Sequence, residues 1–154
     1  MAKAADLNKC VPQRAGAEDC VVAALATITH MSYEKMTAIL GLAIDPAKGC
    51  AIVPKGGVDL MGTIFPLLEL GWVASPLVAR ERGVGVPFFL PTRDQIKTVL
   101  PGRIAVVSYK DADPIVGDHA LAWDGHEAID CSDCTIVSLD DISIDMAVIL
   151  TKIV

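Results

Sequence analysis

The sequence predicts an α+β fold in which N-terminal helices pack on a C-terminal antiparallel β-sheet, all in one domain, residues 1–154. Three observations lead there. Apolar residues at helical spacing fill the first half of the chain, and short β-branched runs fill the second. Segregation of this kind is the pattern of helices laid on an antiparallel sheet, not of alternating βαβ units. Apolar residues make up 53% of the chain, which supplies a core and excludes a disordered polymer.

Residues 1–12 read as a tail or an edge segment. Asp19 is expected to cap a helix from Cys20 to Thr29, with Val21, Leu25 and Ile28 as its buried stripe. Ala23, Ala24 and Ala26 keep the other faces narrow, so neighbouring elements can lie close. Ser32 caps a second helix, Tyr33 to Leu40, closed by Gly41. Residues 43–57 hold Pro46, Gly49, Pro54, Gly56 and Gly57 and form a loop long enough to border a site. A third helix is expected over Val58 to Leu70, capped by Gly71 and kinked or split by Pro66. Trp72 to Val78 reads as a strand that Pro76 interrupts. Residues 83–93 read as a glycine- and proline-rich loop, and Arg93 to Leu100 as a short helix. Strands are then expected at Arg103 to Tyr109, His119 to Trp123, His126 to Asp130, Thr135 to Leu139 and Met146 to Val154.

Composition narrows the function classes. A net charge of −6 argues against a nucleic-acid partner. The longest apolar run, Val21 to Ala26, is far too short to span a bilayer, so no membrane partner is expected. The first nine residues lack the apolar core of a secretory signal, which points to a cytoplasmic protein. Five cysteines in such a chain do not read as a disulfide framework, and an odd number leaves at least one thiol free. Cys131-Ser132-Asp133-Cys134 is a zinc signal only if further ligands join it, with Cys10, Cys50 and a histidine as candidates. No cofactor is expected.

The chemistry gathers at two places. Cys20 opens a helix directly after a polar loop, where unpaired N–H groups and the helix dipole favour a thiolate. Asp124-Gly125 lies between two apolar runs and signals a hairpin with a two-residue turn. In that register Trp123 pairs with His126, Leu121 with Ala128, and His119 with Asp130. Directly opposed residues share a face with Cβ atoms about 4.5–5.5 Å apart, close enough for the carboxylate to orient the imidazole. Cys20 then reads as a nucleophile, His119 as its base and Asp130 as the residue that orients the base. Gln13 can donate a side-chain N–H to an oxyanion, beside the backbone N–H of Cys20. A helix-borne cysteine with a sheet-borne histidine is the papain-like arrangement.

Two blocks carry a family resemblance. Val11-Pro12-Gln13, then Asp19-Cys20, the apolar run to Thr29 and Met31-Ser32-Tyr33-Glu34-Lys35 resemble the start of the bacteriocin-processing, double-glycine-leader cysteine peptidases. Gly117 to Gly125, ending at Ile129-Asp130, is similar to that family's histidine block and following aspartate. The resemblance implies a papain-like fold and a peptide or protein substrate. It also implies the same four roles for Cys20, His119, Asp130 and Gln13. The chain departs from the family in having six residues between Gln13 and Cys20 instead of five, and Val21 where glycine or alanine is common. Two other readings stand beside a thiol hydrolase: a papain-like fold kept as a binding or inhibitory module, and a small zinc-stabilised interaction domain.

Overall fold

The computed structural model describes residues 9–14, 18–82, 90–110 and 118–153. The expected tail over residues 1–8, loop residues 83–89, Gly117 of the histidine block and the strand end at Val154 lie outside the described residues.

Among the described residues, six strands form one antiparallel sheet: β1 (Trp72–Val78), β2 (Ile104–Lys110), β3 (Asp118–Trp123), β4 (Ala128–Asp130), β5 (Thr135–Val137) and β6 (Ile144–Lys152). Their order is β1-β6-β2-β3-β4-β5. β1 is therefore an edge strand, which is why Pro76 sits within it opposite Val148 without interrupting it. An edge strand has one side without a ladder partner, where a missing N–H is tolerated. Asp145 is an extra residue in β6, because Ser108 pairs with Met146 while Tyr109 pairs with Ile144.

The helices are α1 (Cys20–Thr29), α2 (Tyr33–Ile39), α3 (Ile64–Glu69) and α4 (Arg93–Val99). α1 packs on β3 and β2. It is buried on every side from Val21 to Thr29, not along one stripe as the spacing predicts. Its composition accounts for this, since a helix with no polar face belongs inside the core. The buried hydroxyls of Thr27 and Thr29 are satisfied, the latter by the carbonyl of Leu25 at 2.6 Å. α2 begins at Ser32, whose Oγ accepts the Lys35 N–H, and ends before Gly41, where φ is +71°. The expected helix over Val58 to Leu70 is divided into a 3-10 turn, Leu60–Thr63, and α3. The division falls before Pro66, which occupies the first turn of α3, where an N–H would have no intrahelical partner. α4 opens with a capping box between Thr92 and Gln95.

Two apolar clusters result. One lies with α1 and α2 and includes Val22, Leu25, Met36, Val106, Ala120, Ala122 and Val148. The other lies with α4 and includes Ile96, Leu100, Val107, Leu121, Trp123 and Ile144. A disulfide joins Cys10 to Cys134 across 124 residues and ties the N-terminal segment to the turn between β4 and β5. This corrects the expectation that the cysteines form no disulfide framework. Cys20, Cys50 and Cys131 remain as free thiols.

Candidate active site

Cys20 is the first residue of α1, half-exposed while the rest of the helix is buried. Its thiol opens into a cleft of about 210 Å³ lined also by Gly57, Asp59, Ser108, Asp118 and His119. Gly56 and Gly57 form one wall, as expected of the end of the 43–57 loop. The Gly56 N–H donates to the Glu18 carboxylate at 2.7 Å. Gly57 has φ +88° and passes so near the Glu18 carbonyl that a Cβ would sit 3.1 Å from it. Only glycine fits that approach without strain. A larger apolar groove of about 540 Å³ runs between β1 and α4, but no thiol or imidazole lines it among the described residues.

The hairpin that carries His119 differs in register from the two-residue turn. Ala122 pairs with Ile129 and Trp123 with Ala128, so residues 124–127 form the loop. The Asp124 carboxylate accepts the N–H groups of His126 and Glu127, an Asx turn that lengthens the connection. Continuing this register places Asp130 opposite Leu121, diagonal to His119. The shift is an even number of residues, so the pair still shares a face. Diagonal neighbours remain within reach of long side chains. The His119 Nε2 and the Asp130 Oδ1 are 2.9 Å apart.

His119 and the Cys20 thiol line the same cleft, with His119 Nε2 taken up by Asp130. The bonds to Asp130 and then to Cys20 raise its pKa from 6.5 to about 10, against the opposing pull of burial. The ring is thus an imidazolium near neutral pH. Burial pushes the Asp130 carboxyl up, but hydrogen bonds from His119 and Ser132 outweigh it and bring the pKa down from 3.8 to about 2. Ser132 donates both its N–H, at 2.9 Å, and its hydroxyl, at 2.6 Å. Tyr109, paired with His119 in the ladder, sets its ring edgewise to the imidazole with centroids 5.8 Å apart.

Gln13 lies on the segment held by the disulfide, and its backbone N–H donates to the Cys131 carbonyl at 2.7 Å. Its side-chain Nε2 donates to Asp19 Oδ1 at 3.3 Å. Asp19 occupies the cap position of α1 without capping it. Its fully buried carboxylate turns back to Gln13, the Arg14 N–H and the Tyr33 hydroxyl. This corrects the expected helix cap. The zinc alternative loses its ligands, since Cys10 and Cys134 are bonded to each other. Cys131 is buried with its sulfur 3.4 Å from the Thr27 hydroxyl, and burial pushes its pKa up to about 11. No cluster of three or more metal-ligating side chains occurs among the described residues.

Sequence reasoning missed Ser132 and Tyr33. Ser132 was within reach, because Asp-x-Ser is a turn signature in which the carboxylate accepts from two residues on. Nothing local marks Tyr33, whose partner is 14 residues away.

No family model and no curated protein matches the sequence. Among solved structures, the fold is similar to a double glycine motif protease from an AMS/PCAT transporter, crystallised in complex with the leader peptide. The TM-score is 0.59 at 11% sequence identity, over 99% of this chain and 100% of the other. The likeness is one of fold: helices packed with an antiparallel sheet. No helix among the described residues is long and apolar enough to cross a membrane.

Proposed function

We propose that this chain is a single-domain cysteine hydrolase that cleaves a peptide or amide bond through Cys20, His119 and Asp130. The observation that carries the reading is His119 itself, hydrogen-bonded to a carboxylate and sharing a cleft with a thiol at the N-terminus of a buried helix. An imidazolium beside Cys20 stabilises the thiolate. The thiolate adds to the substrate carbonyl, and the oxyanion is received by the Cys20 backbone N–H and the Gln13 amide. His119 then protonates the leaving amine as the C–N bond breaks. The neutral ring next takes a proton from water, which displaces the thiol from the acyl-enzyme. Asp130 keeps Nε2 engaged throughout, so Nδ1 faces the reaction.

The similar protease was crystallised with a leader peptide, which supports a peptide or protein substrate here. The proposed setting is cytoplasmic. The Cys10–Cys134 disulfide weighs against it, because such bonds are rare where thiol reductants are maintained.

Iodoacetamide labelling read by peptide mapping tests the reading. Cys20 is expected to label at least about tenfold faster than Cys50 and Cys131 near neutral pH, and His119→Ala to remove the advantage. Uniformly slow labelling of the three free thiols would contradict it.

A further inference from the structure

We infer that Asp19 and Tyr33 are positioning residues that set the orientation of the Gln13 amide, an assignment that rests on the thiol-hydrolase reading. Asp19 is a carboxylate with no solvent exposure, one residue before the nucleophile, and it makes no helix cap. Each of its oxygens is held. Oδ1 accepts from Gln13 Nε2 at 3.3 Å, and Oδ2 accepts from the Arg14 N–H at 3.1 Å and from the Tyr33 hydroxyl. The Tyr33 oxygen in turn accepts the Ala51 N–H at 2.9 Å. The Arg14 guanidinium lies 4.3 Å over the Tyr33 ring and closes the cluster.

A carboxylate can only accept hydrogen bonds. Asp19 therefore selects the NH2 end of the Gln13 amide and turns the carbonyl end away. Gln13 Oε1 is buried and has no hydrogen-bond partner among the described residues. The amide orientation is thus set at its nitrogen, not at its oxygen. Nε2 carries two hydrogens, and the one not given to Asp19 is the donor for an oxyanion. The Gln13 backbone is held separately, through the Cys131 carbonyl and the nearby disulfide. Turning the amide therefore does not require moving the segment. Asparagine at position 19 offers an NH2 group of its own, which can pair with the orphaned Oε1 and let the Gln13 amide flip.

The test separates two reactions of the same thiol. Iodoacetamide alkylates Cys20 by displacing iodide and forms no oxyanion. p-Nitrophenyl acetate forms a thioester on Cys20 through a tetrahedral oxyanion, with the aryl C–O bond breaking and p-nitrophenolate leaving. In Asp19→Asn, acetylation is expected to fall by about tenfold or more while alkylation stays within about twofold or rises. Gln13→Ala should show the same split, and the double variant should be no slower than either single variant. Tyr33→Phe, which leaves the carboxylate in place but loosens Oδ2, should show a smaller split in the same direction and keeps the test available should Asp19→Asn unfold. Equal changes in both reactions, or multiplied losses in the double variant, would overturn the assignment to Asp19 alone. Slow alkylation of wild-type Cys20 would instead overturn the hydrolase reading, and this inference with it.

Discussion

The two apolar clusters are built differently. The α4 cluster is mainly apolar: Ile96, Leu100, Leu121 and Ile144 fill it, the Trp123 indole N–H donates to the Leu100 carbonyl, and the buried Asp145 carboxylate beside Ile144 lies 3.5 Å from the Arg93 guanidinium. The α1 cluster is laced with buried polar groups, including Asp19, Thr27, Thr29, Tyr33 and Thr37, and with two sulfur sites, the Cys10–Cys134 bridge and Cys131. Its hydrogen bonds run between distant segments: Val11 to Thr27, Gln13 to Cys131, Asp19 to Tyr33 and Tyr33 to Ala51. A mainly apolar core tolerates several packings of similar volume. Directional bonds select one. The cluster with the directional bonds is the one that holds Gln13 and carries Cys20, whose thiol shares a cleft with His119.

That contrast can be broken by substitution. The largest expected effect is chemical: Cys20→Ala should abolish hydrolysis, a loss on the order of 10³-fold or more, with folding stability within about 0.5 kcal/mol of the parent. Its mirror is Leu100→Ala in the α4 cluster, which should cost about 2–5 kcal/mol in urea unfolding. Alkylation of Cys20 in the folded protein should not change, and a folded Leu100→Ala protein with slow alkylation would erase the distinction. Cleaving the disulfide comes next. It closes a loop of 124 residues, and its loss should cost about 2–5 kcal/mol, seen as a lower urea midpoint in the presence of dithiothreitol.

Asp130→Asn should cost about 1–3 kcal/mol, and the difference from wild type should depend on pH. His119 is raised from 6.5 to about 10, so its contribution is complete below 6.5 and is lost as pH rises through about 10. Asp130 is lowered from 3.8 to about 2, so its contribution is complete above 3.8 and is lost as pH falls through about 2. The stability gap should therefore be widest between pH 3.8 and 6.5. A gap that grows above neutral pH would contradict the ion pair. The smallest effect belongs to the surface contact of Lys97 with Asp140, at 3.4 Å, whose removal should change stability by less than about 0.5 kcal/mol.

The helix that carries Cys20 was legible because a polar loop runs straight into an uninterrupted apolar segment. Asp124-Gly125 disclosed the hairpin but not its register, since an Asx turn built on the Asp124 side chain lengthens the loop. The histidine–aspartate pairing survived because strand faces repeat every second residue. Pro76 was misread as an interruption because edge position is a property of the sheet, not of the strand. Asp19 was misread for a related reason. Its partners Gln13 and Tyr33 lie outside the local window that defines a cap. The Cys10–Cys134 bridge spans 124 residues, and counting cysteines cannot reveal such a pairing.

Acyl transfer to Cys20 can be observed without knowing the natural substrate. Wild-type protein mixed with p-nitrophenyl acetate near neutral pH should release p-nitrophenolate in a burst of about one equivalent. Peptide mapping should place a single acetyl group on Cys20, and His119→Ala should suppress the burst. A wild-type protein that shows no burst, or that carries the acetyl group on another residue, would contradict the account.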